Sequence, residues 1–124
     1  MLTGPLIAQA CGGAYQIAEG AELTGRLDGD NQPDSVLDWS GVSCADPSKG
    51  RGAGHCGIKT CTIEVFFTET GKNQQLLGLK PQIVQRGSGK SGLRTLALRP
   101  SCPKNAAECW VDWRWTGTSL KAVR

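Results

Sequence analysis

Six cysteines in a chain of 124 residues constrain the fold more than any other feature. They stand at Cys11, Cys44, Cys56, Cys61, Cys102 and Cys109, accompanied by a single histidine, His55. A zinc site needs pairs of cysteines a few residues apart, repeated, and here only His55, Cys56 and Cys61 cluster. Disulfides are the expectation, and with them an oxidising compartment such as a periplasm or the cell exterior. Six cysteines allow fifteen pairings, and sequence alone does not select one. Loop geometry favours Cys56–Cys61 and Cys102–Cys109, each bracketing a short loop that starts or precedes a strand. That leaves Cys11–Cys44 to tie the N-terminal segment to the loop after Trp39. In the chain-entropy picture the short loops contribute about 2 kcal/mol each and the long one about 4 kcal/mol.

The rest of the chain reads as strands. Residues 61–68 alternate cleanly, with Ile63, Val65 and Phe67 on one face and Thr62, Glu64 and Phe66 on the other. Residues 36–39 place Val36 and Asp38 opposite Leu37 and Trp39. Residues 109–115 send Val111, Trp113 and Trp115 to an apolar face and Trp110, Asp112 and Arg114 to the other. Residues 15–18 and 21–27 read as extended, 74–78 and 80–85 as two weaker strands, and 119–123 as a last short one. In residues 93–99, Leu96 and Leu98 are expected to face the core. Residues 40–59 hold Pro47 and five glycines and read as irregular. Residues 2–10 suit a short helix with Thr3 as N-cap, Pro5 in the first turn and Gly12-Gly13 as the stop. The expectation is one mainly β domain over 1–124. It comprises an N-terminal helix and lead-in (1–13) and a β body (14–124). The body is an antiparallel sheet of six or seven strands stapled by about three disulfides.

Net charge is +3 but lopsided. Residues 1–70 carry four basic and nine acidic residues, a net of −5, while 71–124 carry ten and two, a net of +8. Such an imbalance either pairs the two halves with each other or steers an acidic partner onto a basic face. Residues 1–10 lack the basic start and long apolar run of a secretory leader, which fits a mature form with an added initiating Met. No stretch approaches the length of a membrane span.

One loop has a ligand-like spacing. From Arg26 to Trp39 the chain reads Arg-Leu-Asp-Gly-Asp-Asn-Gln-Pro-Asp-Ser-Val-Leu-Asp-Trp. Short carboxylates at alternate positions of a turn can converge on one hard cation. The stretch resembles the calcium loops of FG-GAP and VCBS-type β-repeats, whose ligands occupy loop positions 1, 3, 5 and 9 with a carbonyl from 7. The resemblance implies Asp28, Asp30, Gln32 and Asp34 at positions 3, 5, 7 and 9, with Arg26 where the first carboxylate belongs. Two outcomes follow. Either the remaining groups bind calcium with water in the missing position, or the Arg26 guanidinium pairs with Asp28 and Asp34 as a structural clasp and no cofactor is held. An EF-hand register fails, because Pro33 would stand where a glycine must turn and Trp39 where a bidentate carboxylate must sit.

The order of Cys-Gly-Gly, this loop, Cys-Gly-x-x-x-Cys and a late Cys-x-x-x-Trp is similar to that of small secreted α-proteobacterial proteins. It spans roughly Cys11 to Lys121. Those proteins are uncharacterised and periplasmic, so the resemblance implies a disulfide-bonded periplasmic β domain and no particular reaction.

Candidate chemistry is sparse. A Cys–His pair at His55-Cys56 cannot act as a nucleophile if Cys56 is in a disulfide. Gly89-Lys90-Ser91 matches the end of a phosphate loop, but Val84 stands where its first glycine belongs and a strand follows. Nucleic-acid binding needs several aromatics interleaved with cations on one exposed face, and Trp110 alone faces out. Trp110 and Arg114, with the basic tip Arg86 to Gly92 that carries Arg86 and Lys90, are the candidate partner-binding residues. The expectation is a non-catalytic periplasmic or secreted module, or a subunit of an envelope complex, that binds another envelope or secreted protein. More specific is an inhibitor or immunity protein against a cell-wall or toxin enzyme. The competing class is a metal-dependent hydrolase using the acidic loop.

Overall fold

The computed structural model describes residues 3–29, 32–85 and 91–123. Helix α1 (Thr3–Cys11) stops where expected, with Gly12 in the left-handed region at φ +69°. The Gly13 amide reaches back to the Ala8 carbonyl at 3.1 Å, which satisfies one of the last open carbonyls. Thr3 does not serve as the cap. It lies inside the helix, buried, and its hydroxyl donates to Glu22 Oε2 at 2.9 Å. Nine residues are too few for a helix to persist alone in water. What holds α1 is its buried Ile7 and the Cys11–Cys44 disulfide.

Among the described residues nine strands follow: β1 (Tyr15–Ile17), β2 (Glu22–Gly25), β3 (Asp34–Asp38), β4 (Val42–Cys44), β5 (Cys61–Phe66), β6 (Asn73–Gln85), β7 (Ser91–Leu98), β8 (Glu108–Trp115) and β9 (Leu120–Val123). Seven form one antiparallel sheet in the order β2-β3-β5-β6-β7-β8-β9, and β1 pairs separately with β4. Three disulfides staple it, in the pairings Cys11–Cys44, Cys56–Cys61 and Cys102–Cys109 that loop length favoured.

Two expectations are corrected. Residues 74–78 and 80–85 are one strand, not two. The break is a bulge between Leu79 and Gln82, where Lys80 takes φ +48°. The first half of β6 therefore pairs with β5 and the second half with β7, and the sheet bends there. Residues 40–59 are not wholly irregular, since Val42–Cys44 pairs with β1. In β7 it is Leu93, Thr95 and Ala97 that share the inner side with Trp113, Val111 and Cys109. Leu96 and Leu98 pair with Trp110 and Glu108 on the other side, where Leu96 is still buried, as expected of a core residue, and Leu98 only half-buried. The inward hydroxyl of Thr95 is tolerated because it accepts the Trp113 indole N–H at 3.0 Å.

The bent sheet wraps its main core, in which Val36, Ile63, Val65, Leu76, Leu93 and Leu120 meet. On the opposite face of β3 and β5, Leu37 and Trp39 pack with Ile7, Cys11 and Val42, so α1 and the β1–β4 pair form a second layer. Trp39 has already left the strand in a 3-10 turn (Trp39–Gly41), capped by Asp38, whose carboxylate accepts the Ser40 amide and hydroxyl. A further turn at Pro47–Lys49 is capped in the same way by Asp46. The Ser48 hydroxyl and amide hold that carboxyl below the usual carboxylate range.

The second layer carries a buried polar chain. Glu64, on the face of β5 turned to α1, accepts the Trp39 indole N–H at 2.8 Å and the Asn73 amide at 2.6 Å. Glu64→Ala leaves the buried indole donor without an acceptor, and urea denaturation should show a loss of about 1–3 kcal/mol. Glu64→Gln keeps an acceptor oxygen and should lose less. Equal losses for the two variants would refute this role.

Candidate functional site

Two places were singled out by residue type: the acidic loop and the outer face of β8. In the loop, Asp34 stands at the first position of β3 and is fully buried. Its Oδ2 accepts the Leu27 amide at 2.9 Å and its Oδ1 accepts the Thr68 amide at 3.1 Å. The Thr68 hydroxyl returns to the Pro33 carbonyl at 2.6 Å. One carboxylate thus ties the chain leaving β2, the start of β3 and the chain leaving β5.

Both oxygens of Asp34 are thus engaged by main-chain amides, whereas the clasp expected from Arg26 puts a guanidinium on Asp34 and Asp28. Arg26 is exposed and lines a hollow of about 230 Å³ with Ser91, Arg114 and Trp115. Its carbonyl accepts the Ser91 amide at 3.1 Å, so the loop is sewn to the start of β7 by backbone. Asp28 is half-buried and Gln32 exposed, and both have partners. Asp30 lies outside the described residues. Among the described residues no group of three His, Cys, Asp or Glu side chains is placed to hold a metal ion.

The outer face of the sheet gathers side chains that sequence placed only in part. Trp110 is 44% exposed, as alternation predicted. Its cation is Arg94 of β7, whose guanidinium lies 4.4 Å from the ring centroid, and not Arg114. Arg94 is fixed further by its Nε–H, which donates to Gln82 Oε1 at 2.9 Å. Arg94 pairs with Asp112, and Leu96 with Trp110, so cross-strand register rather than sequence distance brings Arg94 to the ring. Arg114 lies on the same outer side, opposite Lys121 of β9. Arg86 and Lys90 lie outside the described residues.

His55 is not the free loop residue that its glycine-rich setting suggests. Its ring stacks on Trp39 with centroids 4.0 Å apart and planes 18° from parallel. Gly52 makes this approach possible, since a Cβ there would lie 2.5 Å from Cys56 Sγ and 2.7 Å from the Trp39 carbonyl oxygen. Cys56 is bonded to Cys61 and no cysteine is free, so the adjacent histidine has no thiol to activate.

No family model, curated protein sequence or solved structure matches the chain.

The buried carboxylate gives two expected outcomes. Asp34→Ala strips two main-chain amides of their acceptor and should lower stability in urea by about 2–5 kcal/mol, with Asp34→Asn intermediate. Adding millimolar calcium to the wild type should leave its Tm unchanged. A rise of several degrees that chelator reverses would show instead that the loop binds the ion.

Proposed function

We propose that the protein is a non-catalytic binding module of the periplasm or cell exterior that docks an acidic protein partner on the outer face of β7, β8 and β9. The observation that carries this reading is the exposed Trp110 with the Arg94 guanidinium held against its ring. A large aromatic surface pinned by a cation is rigid before any partner arrives, so little side-chain freedom is lost on contact. Trp and Arg are the residues on which binding energy concentrates. Arg114 and Lys121 extend the patch, and it belongs to the half of the sequence with net charge +8.

Chemistry supports this compartment. Three disulfides persist where thiols are oxidised, and no helix among the described residues is long and apolar enough to cross a membrane. The absence of a free thiol and the stacking of the sole histidine on Trp39 favour binding over nucleophilic catalysis.

The test uses the oxidised protein as bait against an envelope extract, with Trp110→Ala and Arg114→Glu as matched baits. The wild type should retain one stoichiometric acidic protein that elutes at high salt. Trp110→Ala should weaken that complex by about 30-fold without changing the Tm, because the ring is outside the core. Undiminished capture by both variants would rule out this face as the docking surface.

A further inference from the structure

The bulge in β6 does more than bend the sheet. Leu79 still pairs with Leu96, but from Gly78 back to Asn73 the strand pairs with β5 alone. Over the same stretch β7 runs on beside β8 as far as Leu98. The two strands therefore part, and a half-open cleft of about 540 Å³ lies between them. Small-molecule sites run from roughly 300 to 1,000 Å³.

The floor is apolar and comes from inner-face residues: Leu76, Ala97, Val111 and Trp113. Gly78 keeps the floor open, because a Cβ at that position would lie 3.0 Å from the Thr95 hydroxyl oxygen. That hydroxyl accepts the Trp113 indole N–H, and among the described residues nothing takes its own proton. Thr95 is only 1% exposed, so its unspent donor is a buried polar group facing the cleft. The mouth carries Lys59 and Arg99, and among the described residues no carboxylate lines it. Lys59 is exposed, while Arg99 is held in place by its Nε–H, which donates to the Asn105 carbonyl at 2.9 Å.

We propose that this cleft binds a small amphipathic acid, an apolar chain or ring lodged on Leu76, Val111 and Trp113 with its single carboxylate toward Lys59 and Arg99. The apolar body accounts for the floor, and the anionic end accounts for a rim on which the described residues place two cations and no acid. A neutral apolar ligand would leave the rim charges without a counterpart. A dianion would need more than these two partly solvated cations to offset its lost hydration. The cleft is separate from the Trp110 face, so the two sites are tested independently.

The experiment titrates 15N-labelled protein with sodium decanoate below its micelle concentration, with decanol as the neutral control. The Trp113 indole and Thr95 amide signals should shift saturably, and the Trp110 indole signal should not. Lys59→Glu, a change on an exposed loop, should weaken decanoate binding about three- to fivefold, as should high salt. Decanol should bind more weakly than decanoate by at least that factor. Absence of saturable shifts, shifts centred on Trp110, or equal binding of decanol and decanoate would each overturn the proposal. An unchanged affinity in Lys59→Glu would overturn it as well.

Discussion

Val36 and Leu37 are neighbours on β3, point to opposite sides, and are both fully buried. A strand of this kind needs cover on both faces, and the remaining architecture supplies it. The bend at the β6 bulge brings Leu93 and Leu120 over Val36. Helix α1 and the β1–β4 pair close over Leu37, held there by Ile7, Trp39 and the Cys11–Cys44 disulfide. At about 25 cal/mol for each Å² of apolar surface withdrawn from water, two such faces are the main favourable term available to a chain of this size. The disulfides add to it by restricting the unfolded chain.

Asp34 shows how a carboxylate that looks like a ligand can serve the main chain. An ion in a loop organises side chains around itself; here the buried carboxylate organises one amide of its own loop and one from beyond β5. The amide of Thr68 arrives from 34 residues away, so this role depends on where β5 ends as well as on the loop's own Leu27 amide. The same holds for Glu64, whose partners Trp39 and Asn73 come from different layers of sequence. Both acids sit where burial would be prohibitive without such donors.

Much of the architecture was legible in the sequence because it is written in local terms. Alternation in β5 and β8 assigned Ile63, Val65, Val111 and Trp113 to the inner side, and loop length favoured the observed cysteine pairs. What stayed hidden depended on long-range register. The bulge leaves no local mark beyond an ordinary Lys80 that adopts a positive φ. The inward turn of β7 was concealed by Thr95, a polar residue that is acceptable inside only because Trp113 donates to it. Arg94 could not be assigned to Trp110 without knowing which residues lie across the β7–β8 ladder. The cleft beside the bulge was hidden for the same reason, since it exists only where two strands separate.

Gln74 reaches from β6 to the sheet's margin. Its side-chain amide donates to the Leu120 carbonyl at 2.8 Å and accepts the Leu120 amide at 2.9 Å, copying with one side chain the pair of bonds a further strand would make. β9 is the last strand of the sheet and only four residues long. With Leu120 already engaged, a strand adding itself to β9 would have to displace the Gln74 side chain. A single amide side chain thus blunts the β9 edge of the sheet, covering backbone that a further strand would otherwise pair with.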